Sequence, residues 1–480
     1  MNDAALLDLS GLEPLSNRLT ADYLEFNGVL PIRVDAGRVE VATWLPVVDP
    51  QVLDDLRFVF DAEPVVIAAP EAEARRAIRR VYGGEGVTAE GVIAGLGSTD
   101  GGPPDAVETA LDDLVHLANE APVVKLVNLL LLEALEARAS DVHVEGYAET
   151  LRVRYRIDGV LQDGPTPPAH LAAAIVSRLK IMADLDIAER RVPQDGRIRL
   201  PLQNRQVDVR VSTVPTLHGE SIVLRLLDKE RGRIALGDLG MDAAAASQLQ
   251  EVLGRPHGIV LATGPTGSGK TTTLYAAVDW LRTGREKILT VEDPVEYELP
   301  GVPQVPVHEK VGLTFATALR SLLRQDPDVL LVGEIRDEET AEIATHAALT
   351  GHLVLSTLHT NDAPGALVRL LDLGVAPYLV ASTVEAVLGQ RLVRRVCPEC
   401  RRKEPGCPAC RGTGYRGRTG IYELLVMTDE LRDALPRQRG AGELRALATA
   451  AGMRTLREDG LRLVHAGVTT PEEVDRVTGA

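Results

Sequence analysis

The sequence predicts an α/β protein whose largest domain is built on a parallel sheet, with an α+β domain and a small N-terminal module ahead of it. Three observations lead there. From about Ile234 onward, short apolar runs alternate with helix-forming segments, the rhythm of a parallel sheet with helical crossovers. Within that region, Gly264-Pro-Thr-Gly-Ser-Gly-Lys270-Thr271 matches the GxxxxGK[ST] spacing in full, between a strand-like run and a helical one. The chain has 480 residues, room for about three domains with cores that need no disulfides.

Residues 34–42 alternate around a turn and read as a hairpin, and residues 52–60, 64–68 and 71–82 read as helix, strand and helix. Residues 1–95 are thus a small α/β or α+β module whose expected role is docking a partner, since no residue set in it suggests chemistry. Residues 83–105 are rich in Gly, Pro, Ser and Thr, and 96–105 offer too little apolar surface to offset the entropy of ordering, so they read as a flexible linker. In residues 106–232, an amphipathic helix (121–137) precedes strand-like runs at 141–145 and 151–157, an Asp158-Gly159 turn and a short continuation at 160–161. A helix at 172–185 and strands at 206–213 and 221–227 complete an α+β reading. Residues 233–480 hold four buried-strand candidates, 259–263, 288–291, 329–332 and 353–358, and a charged, helix-forming tail from Thr428.

Composition narrows the function. Hydrophobic residues at 45% and charged residues at 25% are the balance of an ordinary globular protein; with aromatics at 3%, Leu, Val, Ile and Ala must fill the cores. A net charge of −17 argues against a chain that grips nucleic acid along its length, because such proteins neutralise phosphates with Lys and Arg. Residues 1–20 lack the basic start and apolar core of a secretory signal. The most apolar stretch, 122–137, is broken by Lys125, Asn128 and Glu133, so it reads as a core helix rather than a bilayer span. Any membrane role would be peripheral.

The GxxxxGK[ST] stretch is a nucleotide-phosphate loop. Gly264, Pro265, Thr266, Gly267, Ser268, Gly269, Lys270, Thr271 and Thr272 are its expected binding residues. Gly267 and Gly269 let the backbone curl until its N–H groups face phosphate oxygens. The helix that follows adds a favourable dipole. Lys270 reaches the β/γ-phosphates and Thr271 can hold Mg²⁺. Residues 328–334 form an apolar strand ending in Glu334, the best candidate to orient or deprotonate an attacking water; Gly333 stands where an Asp is often found. Glu292, Asp293 and Glu296 close another strand and could hold Mg²⁺ through water or position a nucleophile. His352 and His359 stand at opposite ends of the 353–358 strand and are not expected to share a metal; each His, or Thr360 and Asn361, could sense the γ-phosphate by hydrogen bonding.

Cys397, Cys400, Cys407 and Cys410 are all the cysteines of the chain, in two CxxC pairs. With no export signal, they read as a closed tetrahedral Zn²⁺ site that leaves no coordination position for catalysis. Around them, Arg391, Arg394, Arg395, Arg401, Arg402, Lys403, Arg411, Arg416 and Arg418 outnumber Glu399 and Glu404. This patch would meet anionic lipid headgroups or an acidic partner, or else serve as interface and solvated charge.

Loop, carboxylate strand, Glu334 strand and His segment, in this order, resemble the Walker A, Asp-box, modified Walker B and His-box set of the secretion ATPase superfamily. Within it the chain is similar to type II secretion system ATPases (GspE-type), relatives of type IV pilus extension motors (PilB-type). The likeness extends upstream through Arg138-Ala-Ser-Asp-Val-His-Val-Glu145, Arg154-Tyr-Arg-Ile-Asp-Gly159, the segment 185–197 and the segment 218–229. It implies a RecA-like P-loop domain using ATP, Mg²⁺ and Zn²⁺, assembled as a homo-hexamer at the cytoplasmic face of the bacterial inner membrane. Nucleotide would lie between the α+β domain and the P-loop domain, with bitopic and polytopic inner-membrane platform proteins as partners and no nucleic acid. Arg210 and Arg225 match positions such proteins use near phosphate, where an Arg could stabilise the transferring phosphoryl group; sheet-surface arginines are the other reading. Only six residues separate the CxxC pairs, fewer than the resemblance implies. Pilus assembly and nucleic-acid translocation are the alternative functions.

Overall fold

The computed structural model describes residues 12, 15–16, 23–24, 27–35, 37–45, 47–60, 62–81, 121–202, 205–227, 233–437 and 440–479. The expected linker at 96–105 lies outside them.

The N-terminal hairpin forms as expected. Strand β1 (Val29–Asp35) pairs antiparallel with β2 (Arg38–Thr43), and β3 (Glu63–Ala68) adds parallel to β2. Helices Pro50–Phe60 and Glu71–Val81 pack on this sheet, with Leu30, Val41, Leu56 and Ile78 in the core.

The second domain is a six-stranded antiparallel sheet in the order β6-β5-β4-β9-β8-β7. Its strands are β4 (Ala139–Gly146), β5 (Leu151–Ile157), β6 (Val160–Asp163), β7 (Gln194–Leu202), β8 (Arg205–Thr216) and β9 (Gly219–Leu227). Side chains of β5 alternate between core and surface, so one face is left for helices Ala121–Glu136 and Ala172–Met182. Val123, Leu126, Val127, Leu130 and Leu131 of the first helix lie in this core, as the broken apolar pattern implies. Among the described residues no helix is long and apolar enough to cross a membrane. Strand β7 escapes the sequence reading because Gly196 and Pro201 interrupt its pattern; it lies at the sheet edge, where proline is tolerated.

The third domain carries seven strands in the order β12-β11-β13-β14-β10-β15-β16. They are β10 (Gly258–Thr263), β11 (Ile288–Glu292), β12 (Gln304–Pro306), β13 (Val329–Val332), β14 (Leu353–Leu358), β15 (Val384–Val396) and β16 (Tyr415–Val426). All pairs are parallel except β15–β16. The four anticipated strands are its centre. Every residue of β10, β13 and β14 is buried, which is why they read as continuous apolar runs. Helices such as Lys270–Leu281 and Glu338–Leu349 cover the sheet, burying one apolar core on each face. Beyond the sheet the β15–β16 ladder runs on to Val396 and Tyr415 and carries the four cysteines at its tip.

Candidate active site

The phosphate loop follows β10, the strand flanked by β14 on one side and β15 on the other. Gly267 (φ +79°) and Gly269 (φ +92°) take left-handed conformations that L side chains resist. A Cβ on Gly269 would stand 2.7 Å from Nε2 of Gln390, a buried β15 residue whose Oε1 accepts from Thr273 Oγ1 at 2.9 Å. Pro265, Thr266, Gly267 and Thr271 face solvent, Gly269 and Thr272 are half-buried, and Gly264, Ser268 and Lys270 are buried. The Lys270 ammonium donates to the carbonyls of Gly264 (2.7 Å) and Pro265 (3.1 Å). Burial lowers its pKa to about 8, against the attraction of Glu334 and with added repulsion from Arg391.

Glu334 follows β13 and lies at the same edge of the sheet. His359 Nε2 stands 3.1 Å from its Oε2, and Arg336 donates to its Oε1. Burial would raise the Glu334 pKa, but the Arg336 contact and then His359 outweigh it and hold the carboxyl below its usual range. Gly333 is pinned on both sides: its N–H donates to Val291 O (2.8 Å) and its carbonyl accepts from Thr357 Oγ1 (2.8 Å). A Cβ there would stand 3.3 Å from the Val291 carbonyl, so a side chain in the place where Asp is often found would have to push that strand aside by a few tenths of an ångström. Thr263 and Thr360 join hydroxyls at 2.7 Å, tying the exit of β14 to the start of the phosphate loop.

The three carboxylates after β11 do not converge. Glu292 is buried and accepts from Tyr275 OH, Thr290 Oγ1 (2.6 Å) and Gln304 Nε2 (3.0 Å). Asp293 lies 3.6 Å from Arg336. Glu296 meets Arg210 of the α+β domain at 3.6 Å, so one expected arginine does reach the P-loop domain. Arg225 faces Arg210 across the β8–β9 ladder but bonds Asp141 of its own domain at 3.1 Å. His352, at the far end of β14, is held by Ala347 O at 2.8 Å.

The cysteine sulfurs all lie within 4.8 Å of one another, with Cys397–Cys407, Cys400–Cys410 and Cys407–Cys410 each at 3.7 Å. Four thiolates at about 2.3 Å from a tetrahedral Zn²⁺ stand about 3.8 Å apart. The donor set therefore fits that ion. Backbone N–H groups of Cys407 (3.4 Å) and Gly414 (3.3 Å) point at Cys410 Sγ, stabilising a thiolate. The element is anchored on both flanks: Asp158 of the α+β domain accepts from Gly417 N at 2.7 Å and lies 3.7 Å from Arg418, while Glu473 of the last helix (Pro471–Thr478) binds Arg394. Arg402 and Arg416 pair with Glu472 and Glu399. Both ion pairs lie at the surface, and the arginines stay partly exposed.

Sequence reasoning missed Gln390, Arg391, Tyr275 and Arg336. Arg391 was grouped with the cysteine patch, yet its guanidinium lies at the phosphate loop and bonds Asn361 O at 2.7 Å. The aliphatic residues Val384, Ala386, Val387 and Leu388, directly after a helix, are the local signal that would have started a sheet strand here.

Comparison with known proteins agrees with this geometry. The model of the type II/IV secretion system protein family matches residues 116–476, and that of the MshEN domain matches residues 4–88. The type II secretion system protein HxcR of Pseudomonas aeruginosa is 56% identical over 76% of this chain and 79% of its own. The type IV pilus assembly ATPase PilB of Myxococcus xanthus is 46% identical over 88% and 79%. Among solved structures, the ATPase DotB of Yersinia pseudotuberculosis shares the fold, with TM-score 0.60 and 22% identity over 74% of this chain and 93% of that one. The chain is accordingly an ATP hydrolase of the P-loop class that uses ATP and Mg²⁺. It belongs to the type II/IV secretion system protein family, on the side of the type II secretion ATPases.

Proposed function

We propose that this chain converts MgATP hydrolysis into movement of its α+β domain against its P-loop domain, and so drives a type II secretion machine. The loop amides and Lys270 grip the phosphates, and Glu334 takes the proton of a water that attacks the γ-phosphorus. A P–O bond to that water forms as the bond to the β-phosphate oxygen breaks, leaving ADP and phosphate. His359 and Arg336 orient Glu334. Thr271 would hold Mg²⁺, which would supply neutralisation of the phosphate charge. Arg210, already at the edge of the P-loop domain, stabilises the transferring charge once the domains close, and Arg225 supports it from the adjacent strand. Glu292 fixes the end of β11, and Glu296 is the docking point for Arg210. Zinc at the four cysteines is structural.

A homo-hexamer is the working form, peripheral on the cytoplasmic face of the inner membrane. Residues 1–95 dock a bitopic platform protein, and a polytopic one receives the movement. The PilB relative keeps pilus assembly as the second reading, though the more identical relative is a type II secretion protein.

The observation that carries the reading is Glu334, pinned by Arg336 and His359 at the sheet edge that bears Lys270. Glu334→Gln should leave ATP binding intact and lower turnover by about a hundredfold or more. Unchanged turnover would remove Glu334 from the reaction.

A further inference from the structure

Strand β15 lies on the opposite flank of β10 from β13, so Arg391 and Glu334 border the phosphate loop from two sides. The Arg391 guanidinium donates to Asn361 O at 2.7 Å and to Gln390 O at 3.0 Å. Both partners are neutral carbonyls, and among the described residues no carboxylate is within ion-pair distance. The two nearest acids are otherwise engaged. Asp362 binds Arg445 and caps a helix through Gly365 N, and Glu423 accepts the amides of Ala363 and Leu456.

The guanidinium rests on the loop itself, since Nη1 stands 3.1 Å from where a Cβ on Gly264 would be. It is half-buried, and burial lowers its pKa; it is also close enough to Lys270 to weaken that ammonium's hold on its proton. Two cations thus stand at one loop, both beside Gly264. A half-buried guanidinium with only carbonyl partners is costly, and an anion placed beside it relieves the cost. Arg carries five N–H donors, and the two bonds above leave others for phosphate oxygens in fork geometry.

We propose that Arg391 contacts the polyphosphate of the bound nucleotide, supplied by the same chain that supplies the loop. This rests on the ATP reading above. Its test is calorimetry on full-length protein with MgADP and with magnesium adenylyl imidodiphosphate. Arg391→Gln should weaken one or both by about ten- to a hundredfold, the range for a hydrogen bond to a charged group, with the melting temperature of the nucleotide-free protein unchanged. Affinity in Arg391→Gln should also fall less steeply with salt than in the wild type, which a purely structural arginine would not alter. Arg391→Lys keeps the charge and should recover part of the loss; it carries the test if the Gln variant melts early. Binding by both variants within twofold of wild type would overturn the assignment alone. A wild-type chain that binds neither nucleotide would instead overturn the ATP reading beneath it.

Discussion

The His359 imidazole and the Glu334 carboxylate meet at 3.1 Å, closing the gap between the ends of two neighbouring strands, β13 and β14. The bond joins a general-base candidate to the segment that follows the strand next to the phosphate loop. With Arg336 it offsets the burial that would otherwise raise the Glu334 pKa. Replacing His359 by Ala should lower kcat by about ten- to a hundredfold with little change in KM. A lowered pKa means that Glu334 stays ionised further into acid, so the substitution should move the acid limb of the pH–rate profile upward. An unmoved limb would show that His359 does not act through this carboxylate.

Lys270 is the second titrating group at the loop. Its pKa of about 8 in the free protein, set first by burial, leaves it half protonated near pH 8, whereas a polyphosphate partner holds it fully charged. Nucleotide binding at pH 8 should therefore take up about half a proton, and far less at pH 6.5. Calorimetry in buffers of different ionisation heat measures this, and equal uptake at both pH values would contradict it. Lys270→Ala should abolish binding.

At the cysteine tip, Cys397→Ser with Cys400→Ser should release about one zinc per chain, because two thiolates cannot close a tetrahedral site. Atomic absorption gives the stoichiometry. Limited proteolysis should then cut between residues 397 and 414 in the variant and not in the wild type.

Glu473 anchors that tip to the last helix and is 2% exposed. Burial pulls its pKa up, but hydrogen bonds from Arg394 and Arg476 win and hold the carboxyl down to about 2. Its stabilisation, about 3 kcal/mol, is complete above the unfolded-state value of about 4.5. It is lost as the pH falls from there through about 2. Glu473→Gln should cost about that amount at pH 7 and flatten the acid limb of a urea-unfolding series; a variant as stable as wild type would show that the arginines find other partners.

The centre of the P-loop domain was legible because its strands are buried on both faces and read as unbroken Val, Leu and Ile. The phosphate loop and the cysteine pairs were legible because their chemistry demands fixed local spacing. Strands β15 and β16 were not. Gln390 is polar because it props the phosphate loop, and Arg394 because it meets Glu473, so the sequence there reads as a charged surface segment. Glu292 looks like a solvent-facing strand end, and its donors Tyr275, Thr290 and Gln304 become visible only when helix, strand and loop come together. Arg225 does stand opposite Arg210 in the ladder, but its bond to Asp141 on the other neighbouring strand was not visible in the sequence.

The part of the hairpin from Gln390 and Arg391 to the cysteines is a two-stranded ladder with one shift of register between Arg394 and Val396. From Arg391 to Val396 it spans about 17 Å at strand rise. A tilt of about 10° at its root would swing its far end by about 3 Å over that strand length. The bond from Gly417 to Asp158, which ties that far end to another domain, is 2.7 Å long. One hairpin therefore touches the phosphate loop at one end and the neighbouring domain at the other, so a tilt of that size at its root would be enough to break the bond at its tip.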